Sequence, residues 1–425
     1  MATPRTDDPT RGRWLLAGAA VLLQLALGAV YSWSVFSKAL QADDSAFNLS
    51  KSQAALPFSF TIGMIFLGTY LGGRIQDRRG PRVVALAGGV IYALGILLAS
   101  VASDDSQLWL LILGYGVVAG FGLGLAYIVP IAMLQKWFPD RRGLITGIAV
   151  GGFGFGAVLT SPVAQRLVDH YSKVPTRSFI WLGIAYLIMA LIGASQFRNP
   201  PEGYAVPGWE PKATGRVVET RRNYTQTEAL RTPQWYLLTA ILCLNVTAGI
   251  GLISVIASAS KTAGYGTAAA ATLTGVMGLF NGGGRIFWAW VSGLTGRMSA
   301  FLLMLALQGV CLLILPHAGT AAFAVLAAVI YLCYGGGFGT MPATAGDFFG
   351  LRNAGAIYGL MIIAWSIGGV VGPQVVAKLA DGDSYTTAFT TIGVIALVAL
   401  ALPLITRAPR EDKAEAAAVP APAAE

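Results

Sequence analysis

Charge is what this sequence has least of: 12% of its 425 residues are Asp, Glu, Lys or Arg, and two are His. Soluble domains carry about 25% charged residues, so a water-soluble globule is excluded. Cysteine is scarce as well. Cys243, Cys311 and Cys333 lie in apolar runs without CxxC spacing, which argues against a disulfide framework or a zinc cluster and leaves them as small buried hydrophobes. No Ser/His/acid set, metal cluster or carboxylate pair falls within an apolar run, so neither an enzyme nor a cofactor is expected.

In place of charge there is hydrophobicity, 55% of the chain, with 53 glycines. A bilayer core of about 30 Å needs about 20 apolar residues per crossing. Segments of that kind fall at 14–40, 53–74, 82–102, 107–135, 143–168, 178–198, 234–259, 268–293, 299–316, 320–346, 354–378 and 385–406. The first is too long for a signal peptide and is read as a span. The expected fold is an all-α membrane protein of twelve transmembrane helices in two six-helix bundles. The bundles are residues 1–198 and 235–407, joined by a polar linker at 199–234 and followed by a disordered Ala- and Pro-rich tail at 408–425.

The net charge of +9 is spread over short loops rather than gathered in a stripe, so nucleic acid is not an expected partner. Of 29 basic residues, 21 fall on the side of the termini and 7 on the other. The positive-inside rule then places both termini in the cytoplasm, with the plasma (inner) membrane as the expected location. The basic residue left over is Arg285, inside the eighth segment, in the run Asn281-Gly282-Gly283-Gly284-Arg285. An arginine at a bilayer centre costs roughly 2.5–3.5 kcal/mol on insertion scales and faces a cavity or a counter-charge. All 20 acids fall in or beside loops, so no built-in partner is evident.

The halves repeat one another. Gly143, Gly147 and Gly156 recur as Gly355, Gly359 and Gly368 at a constant offset of 212. Parallel repeats of this kind are a transporter plan, with the substrate near mid-membrane between them. The glycine runs at 151–156, 282–284 and 335–337 are read as close helix contacts.

The loop Gly73-Arg74-Ile75-Gln76-Asp77-Arg78-Arg79-Gly80-Pro81-Arg82 resembles the G-x-x-x-D-R-x-G-R-R loop of the major facilitator superfamily, with Pro81 for an arginine. Its second-half counterpart keeps Gly296 and Arg297 but has Gly293 in place of the acid. The resemblance implies that Gly73, Asp77, Arg78, Gly80 and Arg82, with Asp140, Arg141 and Arg142 of the Trp137-to-Gly143 run, tie helix ends together on the cytoplasmic side. More narrowly, Tyr31-Ser32-Trp33, Gly120 to Tyr127, the run Lys136 to Gly143, and Asn281 to Arg285 resemble the oxalate/formate antiporter family, which is related to monocarboxylate transporters. That resemblance implies that Arg285 meets a substrate carboxylate and that Tyr31, Tyr127, Phe153, Tyr334, Phe338 and Tyr358 line the cavity. Where the oxalate exchanger has a second cavity cation, a lysine, this chain has Met361.

One cation suits one carboxylate, since an unpaired buried carboxylate is costly. The expected substrate is therefore a small monocarboxylate of lactate, pyruvate or formate type, moved by exchange or facilitation. Arg285 would anchor it, and Asn281 one turn earlier would add a hydrogen bond. Proton-coupled symport, with Asp347 handling the proton, oxalate/formate antiport and carboxylate sensing by a receptor are the alternatives. The expected partners are a small carboxylate anion, the lipid bilayer and, in the symport alternative, protons. The working unit is expected to be a single chain.

Overall fold

The computed structural model describes residues 9–208, 222–380 and 384–409. The centre of the expected linker and nearly all of the expected tail lie outside the described residues. Among the described residues, eleven helical stretches are long and apolar enough to cross a membrane. They are α1 (Gly12–Leu40), α2 (Gln53–Arg79), α3 (Pro81–Ala99), α4 (Asp105–Trp137), α5 (Pro139–His170), α6 (Pro175–Ser195), α7 (Pro233–Ile256), α9 (Arg297–His317), α10 (Thr320–Phe349), α11 (Ala354–Val376) and α12 (Thr386–Ile405). The remaining expected span is the 29-residue helix α8 (Thr267–Thr295). It is long enough to cross, but Asn281, Arg285 and its glycines dilute its apolar character.

Local chemistry sets the helix ends. Ser50 caps the helix leading into α2 in a reciprocal box with Gln53. Gly80 between α2 and α3, and Gly296 between α8 and α9, both hold a left-handed backbone (φ +86° and +95°). Each donates its N–H four residues back, to Gln76 and Ser292 respectively. A side chain would be strained at both positions, and the shared turn shows the repeat in backbone geometry.

In the first half two helices are irregular in mid-span, and in the second α11 is interrupted at Ile362 and α12 at Ala399 and Leu400. α1 tightens to a 3-10 turn at Ala29–Ser32, and α4 widens to a π-helix at Ile112–Ala119. The two irregularities are neighbours: the Trp33 and Tyr115 rings lie 4.4 Å apart.

The halves meet along two helix pairs related by the repeat, α2 with α11 and α5 with α8. On the first, Asp77 accepts from the Ala356 N–H at 2.8 Å, Thr69 donates to the Gly359 carbonyl at 2.9 Å and Ser366 donates to the Ile62 carbonyl at 3.2 Å. A Cβ on Gly73 would run into the Gly355 carbonyl. Along the second pair, Gly143 faces Ala289, Gly147 faces Arg285 and Ile286, and Gly154 faces Gly282. Small residues there bring backbone against backbone, as expected of the glycine runs.

The linker re-enters at Arg222 and docks on the α10–α11 turn. Tyr224 donates its N–H to the Phe349 carbonyl at 2.9 Å, and Gln226 donates to the Ala356 carbonyl at 2.7 Å. Thr225 caps the following turn reciprocally with Glu228. Hydrogen bonds from Thr225, with Arg222 nearby, hold the Glu228 carboxyl below the usual range.

Candidate functional site

Arg285 sits ten residues from the end of α8 at Thr295, a depth of about 15 Å at 1.5 Å per residue, near the middle of a bilayer core. It is fully buried. Its backbone is clamped on two sides, because Gly339 of α10 and Gly147 of α5 both lie against the Arg285 carbonyl. The side chain then has one course, into the gap between the halves. Its Nε donates to Asn281 Oδ1 at 3.4 Å, and Nη1 donates to the Val150 carbonyl of α5 at 3.3 Å. The guanidinium lies over Phe153 of α5 and Phe338 of α10, 5.5 and 5.0 Å from the ring centroids. Those cation–π contacts offset part of the desolvation.

Among the described residues no carboxylate pairs with Arg285, and its Nη2 has no hydrogen-bond partner. The expectation of a cation without a built-in acid therefore agrees with the geometry. Two refinements follow from the bonds made. Asn281 holds the arginine itself, and one face of the fork is spent on a backbone carbonyl of the opposite half.

The aromatic positions converge on this point. Tyr31 and Tyr127 pack edge-on against Phe153 with centroids 5.4 and 5.0 Å away, and Tyr334 packs against Phe338 at 5.4 Å. Tyr31 is half-buried, whereas Tyr127, Phe153, Tyr334, Phe338, Tyr358 and Met361 are buried. The hydroxyls of Tyr31, Tyr127 and Tyr358 are buried and close no hydrogen bond of good geometry among the described residues, and they lie against one another and the guanidinium: Tyr31 beside Tyr334 and Arg285, Tyr127 beside Tyr358 and Arg285. Buried donors are normally satisfied, and here three incompletely satisfied hydroxyls gather around one guanidinium with no carboxylate paired to it among the described residues.

Sequence reasoning missed Trp365. It is 1% exposed and central to the cluster, with centroids 5.1 Å from Phe338, 6.0 Å from Phe153, 6.2 Å from Tyr31 and 6.3 Å from Tyr127. Its spacing was the available signal, since Tyr358, Met361 and Trp365 stand at i, i+3 and i+7, the spacing of one helix face.

The loop residues form a second layer, at the end of the molecule where α1 begins. Asp77 reaches the first turn of α11, where the helix dipole favours a carboxylate, and lies 3.7 Å from Lys136 Nζ. Arg13 grips Asp140 with two hydrogen bonds of 2.7 and 3.0 Å. Arg141 is 3.6 Å from Asp140, Arg82 donates to the Phe197 carbonyl, and Arg78 is exposed. Asp347 is almost fully buried between Arg297 at 2.7 Å, from its own half, and Arg142 at 3.3 Å, from the other. The acid missing from the second-half loop is thus supplied by α10. In the first half the acid is on α2 and the cation on α4, whereas in the second the acid is on α10, the counterpart of α4, and the cation opens α9.

Comparison with known proteins agrees with this architecture. The Major Facilitator Superfamily profile matches residues 15–373. The chain belongs to that superfamily. It is 29% identical to the oxalate:formate antiporter of Oxalobacter formigenes over 416 residues, covering 95% of this chain and 94% of that one. It is 27% identical to monocarboxylate transporter 13 of Rattus norvegicus over 413 residues, covering 92% and 89%. The crystal structure of the superfamily transporter FucP in its outward conformation superposes with a TM-score of 0.68 at 16% identity, over 93% of this chain and all of that one. That likeness shows the fold: a multi-pass membrane protein of two pseudo-symmetric six-helix bundles.

Proposed function

We propose that this superfamily member carries small organic monocarboxylates across the membrane by alternating access, with Arg285 as the anion anchor. The observation that carries the reading is the fully buried guanidinium with one nitrogen unbonded and no carboxylate paired to it among the described residues. A carboxylate arriving there makes a charge-assisted hydrogen bond with Nη2, and the incompletely satisfied hydroxyls of Tyr31, Tyr127 and Tyr358 supply further donors. Asn281 and the Val150 carbonyl hold the fork in position. Phe153 and Phe338 exclude water, which strengthens the charge interaction.

Met361 leaves the α11 wall apolar, so a second carboxylate would have no cation there. This favours monocarboxylates over oxalate, although the oxalate:formate antiporter is among the similar proteins. We assign residues 1–198 and 235–407 as the moving halves, with both termini in the cytoplasm. Asp77 against α11 and Asp347 between Arg142 and Arg297 close the cytoplasmic end. Asp347 already serves two arginines, which favours exchange or facilitation over proton symport.

Counterflow of labelled lactate, formate and oxalate into proteoliposomes loaded with each acid tests the proposal. Lactate or formate exchange is expected to exceed oxalate exchange. Absence of carboxylate counterflow contradicts the reading, and accumulation driven by a pH gradient alone contradicts the coupling.

A further inference from the structure

Trp365 has no part in the reading so far, yet no ring of the cluster reaches more of the others. Its four ring neighbours come from α1, α4, α5 and α10, so the indole spans the gap between the halves. Two of those neighbours, Phe153 and Phe338, are the rings under the Arg285 guanidinium. The cation and the indole therefore share both walls of one cage. The indole Nε1–H is buried and closes no hydrogen bond of good geometry among the described residues, the Tyr334 side chain being the polar group beside it. Buried tryptophans usually place that N–H on an acceptor. A side chain needed only for bulk would be served by phenylalanine or leucine, which leave no donor stranded.

We propose that Trp365 is a specificity-determining residue of the site: its ring limits the length and branching of the acid's tail, and its N–H donates to an oxygen beyond the anchored carboxylate. The proposal rests on the reading of Arg285 as carboxylate anchor. With the carboxylate at Nη2, the tail extends among rings and meets the indole. A short acid carrying an additional oxygen satisfies both ends. A branched or aryl tail collides with the indole, which is held by four neighbours and cannot easily yield.

The test uses the full chain in proteoliposomes and competes labelled lactate counterflow with unlabelled pyruvate, 4-methyl-2-oxopentanoate and phenylpyruvate. Wild type, Trp365→Phe and Trp365→Leu are compared, with gel filtration confirming that each is folded. In W365L the preference for pyruvate over phenylpyruvate is expected to fall by about tenfold, one missing or added group in an apolar pocket being worth on that order. In W365F the size preference is expected to persist while pyruvate weakens about three- to tenfold, as for one lost hydrogen bond. An unchanged preference in W365L with transport intact overturns the size limit. Undiminished pyruvate competition in W365F overturns the donor role, and this arm decides alone if W365L does not fold. If the wild type moves no carboxylate, the anchor reading fails first. If it does and neither variant shifts selectivity, only the role of Trp365 fails.

Discussion

Arg285 Nη1 and the Val150 carbonyl are 3.3 Å apart and belong to opposite halves of the molecule. The anchoring cation is thus itself a tie across the cleft. Replacing it separates charge from geometry. Arg285→Lys keeps the charge but loses the planar fork, and Arg285→Gln loses both. A hydrogen bond to a charged group is worth about 1.5–3 kcal/mol. Lactate counterflow is expected to fall roughly tenfold or more in R285K and to background in R285Q, read as initial rates at matched protein density.

Met361 is fully buried in α11, three residues after Tyr358. Met361→Lys adds a second cation. At about 4 Å and an effective dielectric near 20, a cation and a carboxylate attract by about 4 kcal/mol before desolvation. Oxalate should then compete for lactate counterflow better than in the wild type. Unchanged preference would count against the electrostatic basis of monocarboxylate selectivity.

Asp347 accepts from Arg297 and Arg142, one from each half. Asp347→Asn strands both cations, and breaking a buried pair costs about 3–5 kcal/mol. Arg142→Gln removes only the partner in the opposite half and leaves Asp347 with Arg297. The expected order is a clear loss of thermal stability for D347N, a smaller loss for R142Q, and greater thiol labelling of a cysteine placed at Thr344 in both. Equal melting curves for D347N and wild type would remove Asp347 from the closure.

Gly339 lies against the Arg285 carbonyl, whereas Gly283 has nothing within 4 Å of where a Cβ would stand. Gly339→Ala is expected to force α10 off α8, lowering both yield and counterflow. Gly283→Ala, on the same stretch of α8, should leave both near wild type. Helix replacement energies alone would predict a gain of about 1 kcal/mol in each case, so the contrast isolates packing.

The spans and the isolated cation were legible in the sequence because hydropathy and charge are one-dimensional signals. Trp365 was legible only as a spacing, i, i+3 and i+7 with Tyr358 and Met361, and nothing in that spacing distinguishes cage from core. Asp347 showed only as an acid near a helix end. Its two arginines are 50 and 205 positions away, a separation that no local pattern encodes. The role of Asn281 changed for a related reason: spacing placed it beside Arg285, and only the bond lengths showed which of its neighbours it serves. The 3-10 turn in α1 and the π-helix in α4 left no periodicity signal, since both lie inside uniformly apolar runs.

The measurement that tests the central claim most directly is calorimetric binding of lactate and pyruvate to the purified chain in nanodiscs, wild type against Arg285→Gln. The account expects saturable binding of at least one acid to the wild type and its loss in R285Q, with both proteins folded by gel filtration. Binding of equal strength to the two would show that the carboxylate is held elsewhere.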